Sequence, residues 1–243
     1  MRKKFSEYYP PANELPNLSP DDLARFLLVH LCDVSQDFSV SSIGRYNFLN
    51  SNEVIEYSRG SEAGVDNVMK QLAEAWLWLE KEGLICPRPD QPQGDFYFVT
   101  KKGIKHKEPL EFESYKKGKF LPREVLDEKL LEKVYPLFIS GDYDTAVFRA
   151  FKEIEVRVRD RARLPQSLIG TDLMRTAFDP EKGLLLAKDI QKAEKQALSH
   201  LYAGSIGIFK NPSSHREVKF EQAEEVAKII LFADYLLKLL ERF

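Results

Sequence analysis

Lys210, Asn211 and His215 are residues whose types and spacing suit chemistry. They lie within residues 204–216, GSIGIFKNPSSHR, between two helical patterns in the last third of the chain. An imidazole titrates near neutrality and can move a proton, while an ammonium can hold a phosphoryl oxygen. Pro212 has no N–H and pushes the residue before it out of the α region, so a helix is expected to end or kink here. Asn211, Ser213 and Ser214 are capping and turn residues. Together they put Lys210 and His215 on either side of a tight connection at a helix end, an arrangement suited to phosphate chemistry. Taken alone, such a string is more often a plain polar turn.

The elements that must hold this connection are helical. Residues 143–163 form the strongest amphipathic pattern, with Val147, Ala150, Phe151, Ile154 and Val158 on one stripe. The other face is charged, and Arg149–Glu153, Glu153–Arg157 and Glu155–Arg159 are spaced to pair one turn apart. A helix over 126–138 precedes it, broken by Gly141-Asp142. A short helix over 171–178 and a longer one over 188–203 come after it; His200 lies in the latter and reads as a surface or packing histidine. The final helix, about 220–243, carries one apolar row at Ala223, Val226, Ile230 and Leu237 and a second at Ile229, Phe232, Leu236 and Leu240. A helix apolar on both sides is expected to be covered on both sides, and a second subunit is the expected cover.

A basic residue, Asn, three residues and then His, set between two C-terminal helices, resembles the R-x(4–6)-H motif of the HEPN superfamily. The layout of the last hundred or so residues looks like its Ymh-type branch, whose members usually read R-N-P-x-x-H. Here Lys210 stands where Arg is usual; lysine keeps the charge and loses the planar two-pronged grip on phosphate. The resemblance implies a metal-independent endoribonuclease in a defence or toxin context, with RNA as partner and 2′,3′-cyclic phosphate ends. His215 would be the general base or acid, Lys210 the phosphate holder and Asn211 a support for the loop. HEPN domains often set a polar or acidic residue from an early helix beside the histidine; Glu153 is the candidate, with Arg157 next to it. Ser214, Arg216 and Arg157 are the expected substrate contacts. HEPN sites are usually built from two protomers, which implies a homodimer through the C-terminal domain. The alternative is a non-catalytic HEPN-like module that binds nucleotide, RNA or protein.

The N-terminal half reads differently. Residues 1–18, with Arg2, Lys3, Lys4 and the string YYPPANELPNL, are expected to be a mobile arm. Ser19-Pro20-Asp21-Asp22 is a helix start. A second helix covers about 63–81, Gly83 ends it, and two short strand patterns flank the turn PRPDQPQGD. Glu80 to Gly83 followed by Leu-Ile, then FYFVT and Lys101-Lys102-Gly103, resembles a winged-helix domain over 19–107. The 63–81 helix is poor in basic residues, while Arg88, Lys101, Lys102, Lys105 and Lys107 gather in the wing. That charge placement favours positioning a partner or substrate over reading DNA sequence. Residues 108–121 read as a linker. The expected fold is therefore mainly α: an N-terminal winged-helix-like α+β domain, then an all-α HEPN-like helical bundle over 122–243.

Composition sets the bounds. The chain has 243 residues and a formal net charge of −2, so no global basic field marks a nucleic-acid binder. Four scattered histidines and two distant cysteines, Cys32 and Cys86, offer no metal-ligand spacing, so neither metal nor cofactor is expected. Without a signal peptide or a membrane-length apolar run, the expected location is cytoplasmic.

Overall fold

The structure, a computed structural model, describes residues 3–35, 43–59, 61–62, 64–91, 94–185, 191–210 and 219–242. The chain divides into two compact units, Met1–Glu113 and Ser114–Phe243. It is mainly helical. Among the described residues no helix is long and apolar enough to cross a membrane.

Unit 1 begins with two 3-10 turns, Phe5–Glu7 and Leu15–Asn17. Next come α1 (Pro20–Ser35), β1 (Ile43–Gly44), α2 (Arg45–Leu49), α3 (Asn52–Ser58), α4 (Gly64–Lys81), β2 (Ile85–Pro87), β3 (Phe96–Val99), α5 (Lys101–Lys105) and α6 (Pro109–Phe120). The strands form one antiparallel sheet in the order β1-β3-β2, with Ile43 opposite Tyr97 and Cys86 opposite Phe98. Helices α1 and α4 pack together, and Leu23 and Leu27 on the first and Leu72 and Trp76 on the second are buried. The start of α1 obeys its sequence signal: the Ser19 hydroxyl accepts the Asp22 N–H at 3.3 Å and donates to the Asp22 carboxylate at 2.7 Å.

The string Thr100-Lys101-Lys102-Gly103 has a physical reason. A Cβ on Gly103 would lie 2.2 Å from the Leu84 carbonyl oxygen, so no side chain fits there. The Thr100 hydroxyl accepts the Gly103 N–H at 3.0 Å and donates to the Gly83 carbonyl at 2.8 Å, capping α5 and tying it to the end of α4.

Two expectations need correction. Residues 3–18 are not a mobile arm: Phe5, Tyr8, Tyr9, Ala12 and Leu15 are buried, and Phe5 stacks on Tyr9 with ring centroids 4.4 Å apart. Proline and polar residues hid five buried apolar side chains, spread too irregularly to show a period. Residues 108–121 are not an open connector but hold α6, inside which the division between the units falls. Phe112 is fully buried, 5.6 Å from Trp78.

Unit 2 continues with a 3-10 turn at Arg123–Val125, then α7 (Glu128–Lys133), α8 (Tyr135–Ser140), α9 (Tyr143–Ala162), α10 (Gly170–Ala177), α11 (Lys192–Ser205), a π-helical turn (Ile206–Lys210) and α12 (Ala223–Leu240). The helix expected over 126–138 is two helices, because Pro136 in the first turn of α8 cannot donate the hydrogen bond that would continue α7. Gly141, with φ +87°, ends α8 in the left-handed conformation that glycine accepts without strain. Helix α9 is the axis of the unit and packs against α12, α10 and the π turn. Phe151, Ile154 and Val158 on α9, Tyr202 on α11 and Ile230 and Leu237 on α12 are buried in one core.

The second apolar row of the last helix is covered within the chain. Leu236 and Leu240 have no exposed surface, and Ile229 and Phe232 pack partly buried on the same core. Tyr202 donates to the Leu236 carbonyl at 2.7 Å, and Phe209 of the π turn meets Phe232 at 6.2 Å. The row that suggested a second subunit therefore supplies no motive for one.

Candidate active site around Lys210

Helix α11 widens into the π turn as it reaches the motif. An extra residue in a helical turn rotates the side chains beyond it, and such turns are frequent at functional sites. Gly204 and Gly207 lower the helix propensity here, and buried Ile206 with Phe209 supplies the packing. The Phe209 ring stacks on Phe151 of α9 at 4.8 Å. Lys210, the last residue of the turn, is thereby delivered to α9 and is 9% exposed.

The ammonium of Lys210 meets Glu155, whose Oε2 lies 3.2 Å away. Glu155 has no exposed surface. Its Oε2 also accepts the Gly170 N–H at 3.1 Å, and its Oε1 accepts from Lys152 at 2.7 Å and Arg159 at 3.0 Å. Burial by itself would push this carboxyl up. Hydrogen bonds from Lys152, Arg159 and Gly170 and the charge of Lys210 outweigh it and hold the group down at about 2. Glu155 is thus a carboxylate at every ordinary pH. Arg159 passes through the cluster to the Leu168 carbonyl, at 3.0 Å from Nη2, and so fixes the loop before α10. Among the described residues three cations, Lys152, Arg159 and Lys210, face this carboxylate, with Lys152 about one-third exposed.

Beyond the motif, the Phe220 N–H donates to Asp144 Oδ1 at 3.0 Å, in the first turn of α9. Both described flanks of the motif are therefore fastened to one helix. At a rise of about 1.5 Å per residue, Asp144 and Glu155 are about 16 Å apart along it.

Asn211, Ser214, His215 and Arg216 lie outside the described residues. Glu153 and Arg157 are described, and the structure does not bring them to Lys210. Residues two apart on a helix point to nearly opposite sides, so Glu153 and Glu155 face different ways. Glu153 pairs with Lys133 at 3.0 Å. Arg157 holds Asp127 through two bonds of 2.8 and 3.0 Å, with Glu153 and Glu241 each at 3.9 Å. The bond from Arg157 holds the Asp127 carboxyl below its usual range. The Asp127 N–H donates to Asp234 at 2.6 Å, and Lys238 pairs with Asp234 at 2.6 Å. This second network joins the segment before α7 to α9 and α12.

Among the described residues the carboxylate that meets Lys210 is Glu155, while the place of Glu153 relative to His215 lies outside the described residues. The cluster of Glu155, Arg159 and Lys152 around Lys210 is not expected from the sequence, where Glu155 and Arg159 read as an ordinary helical ion pair. One signal was present: Glu155 stands four residues after Phe151 and three before Val158, which puts a carboxylate on the apolar stripe. Among the described residues no group of three or more His, Cys, Asp or Glu could hold a metal ion.

Residues 124–240 match the model of a family described as a protein of unknown function, Hypoth_ymh. The C-terminal half is therefore similar to that family. No curated protein and no solved structure matches the chain.

Proposed function

We propose that the chain is a metal-independent endoribonuclease of HEPN type, working in a defence or toxin setting. The observation that carries the reading is Lys210 seated on Glu155 at a helix end, five residues before His215. A histidine five residues along the chain from a lysine of a cationic cluster would supply the two parts that RNA transesterification needs, a proton acceptor and a positive environment for the phosphate.

In this mechanism His215 takes the proton of a ribose 2′-hydroxyl. The freed oxygen attacks the adjacent phosphorus, the bond to the 5′-oxygen breaks, and that oxygen takes a proton as it leaves. The products are a 2′,3′-cyclic phosphate and a 5′-hydroxyl end. Glu155 does no proton transfer; it holds Lys210 and so fixes where the segment bearing His215 begins. The cluster of Lys152, Arg159 and Lys210 steadies the charge on the phosphate. Asn211 supports the loop, and Ser214 and Arg216 contact substrate. The N-terminal unit is proposed as a winged-helix-like domain that positions a partner or the RNA. Two copies would build a composite site together through their C-terminal domains, and light scattering decides this, since one chain is 28.1 kDa.

One observation favours a second reading, a non-catalytic module that binds nucleotide or RNA. Lys210 is mostly buried and its charge is matched by Glu155, as befits a residue that shapes the loop rather than grips a phosphate. The test is incubation of the purified chain with total RNA in EDTA, beside His215→Ala. Cleavage that disappears in the variant supports the nuclease. RNA retained intact by both proteins supports the module.

A further inference from the structure

We infer that unit 1 binds a neutral or cationic nitrogen heterocycle of nucleobase size, in a cavity between α1, the sheet and the corner from α2 to α3. The cavity has a volume of about 480 Å³, within the range of small-molecule sites. Its lining combines three rings, His30, Phe48 and Phe96, with Asn47, Asn52 and Glu53.

The ring side of this cavity is held rigid. His30 is 2% exposed, stacks on Tyr8 with centroids 4.1 Å apart, and meets Phe48 edge-on at 5.3 Å. Its Nδ1 lies 3.2 Å from the Tyr9 hydroxyl. The polar side is exposed among the described residues. Asn47, Asn52 and Glu53 are exposed, and their side chains make no hydrogen bond among the described residues. Each carboxamide offers donors and an acceptor side by side, the complement of a heterocycle edge that carries both. Aromatic walls suit a flat ring better than an aliphatic chain. Glu53 brings a negative charge, and among the described residues neither Lys nor Arg lines the cavity, so a phosphate would meet repulsion without a counter-charge.

Gly44 adds a steric reason. A Cβ there would come within 3.3 Å of both Asn47 Nδ2 and Phe96 Cε1. The glycine lets the amide and the ring close against the backbone, and an alanine would make both shift by a few tenths of an ångström.

The experiment titrates the full chain with adenosine, guanosine, cytidine and uridine by calorimetry, with adenosine 5′-monophosphate alongside. The indole N–H signals report the location, because both tryptophans, Trp76 and Trp78, belong to unit 1 and Trp76 packs 5.6 Å from Phe48. At least one nucleoside should bind saturably and shift the Trp76 signal, and the monophosphate of adenosine should bind more weakly than adenosine. Asn47→Leu should weaken binding about tenfold through the lost hydrogen bond. Because Asn47 is exposed, that variant should melt as the wild type does. Gly44→Ala should weaken binding as well. The inference is overturned if no nucleoside binds at millimolar concentration, if the monophosphate binds more tightly than adenosine, or if binding survives Asn47→Leu combined with Gly44→Ala.

Discussion

Lys210 Nζ lies 3.2 Å from Glu155 Oε2, joining the last residue of the π turn to the middle of α9. The pair converts a flexible basic side chain into a fixed post at the start of the segment that carries His215. Breaking a buried pair from one side leaves a charge without its partner and costs about 3 kcal/mol. Glu155→Gln should therefore lower the unfolding free energy by about that amount, read as a shift in urea midpoint. It should also lower RNA cleavage per folded molecule, because the post is loosened. Unchanged stability would show that Lys152, Arg159 and Lys210 do not need the carboxylate.

The same carboxylate sets an acid limit. Its folded value of about 2 lies below the ordinary 4.5 of glutamic acid, so the folded state favours the ionised form. Asp127, held down by Arg157, works in the same direction. A depressed carboxyl contributes stability that is present in full above its unfolded value and disappears as pH falls through the folded one. Melting temperature should thus hold from neutrality to about pH 5 and decline between about pH 5 and 2. Glu155→Gln should flatten part of that decline. A melting curve as steep in the variant as in the wild type would remove Glu155 as its source.

Much of this arrangement was legible in the sequence, and the limits were physical. Helix α9 showed through its apolar stripe, and Gly83 and Gly141 marked helix ends because their backbone takes positive φ, which glycine tolerates. The break at Pro136 was passed over because the apolar spacing of Leu130, Val134 and Phe138 runs on through a proline that interrupts the backbone. Glu155 was hidden for a different reason. Glu153 and Glu155 have the same chemistry and equal claims to an i,i+4 partner, and only packing decides which is buried. The second row of the last helix is covered by Tyr202 and Phe209 of the same chain; periodicity shows that a face is covered and not by what.

Arg157 separates the two networks of α9. Its bidentate bond to Asp127 lies on the side away from Lys210, and its side chain is 23% exposed. Arg157→Ala should cost about 1–3 kcal/mol through the lost charge-assisted bonds. Cleavage per folded molecule and KM for RNA should stay unchanged. A rise in KM with unaltered stability would return Arg157 to the substrate-binding role that its place in the sequence suggested.

The N-terminal segment offers a prediction in the other unit. Phe5 is 4% exposed, stacked on Tyr9 and edge-on to His30 at 5.4 Å. Phe5→Ala should destabilise unit 1 by about 3 kcal/mol, the usual loss when a buried phenylalanine is truncated. Trypsin should then cut residues 1–59 faster than in the wild type. A mobile arm would show no change in either urea midpoint or cutting rate.

His215 decides the functional reading. As a general acid–base catalyst it should be worth about 10² to 10⁴ in rate, so His215→Ala should lower RNA cleavage by that factor. Fold and melting temperature should be kept, since the core of unit 2 is built from the helices that flank the motif. Activity should persist in EDTA, because the attacking group is the ribose 2′-hydroxyl and the proton acceptor an imidazole. For the same reason the product should carry a cyclic phosphate, and DNA, which has no 2′-hydroxyl, should not be cut. Lys210→Arg should keep cleavage if the guanidinium still reaches Glu155, and Lys210→Ala should remove most of it. If the wild type cuts no RNA, or cuts DNA equally well, the nuclease reading falls. If Lys210→Ala loses stability while neither it nor His215→Ala affects RNA cleavage, the cluster around Glu155 is a structural clasp and the catalytic site lies elsewhere.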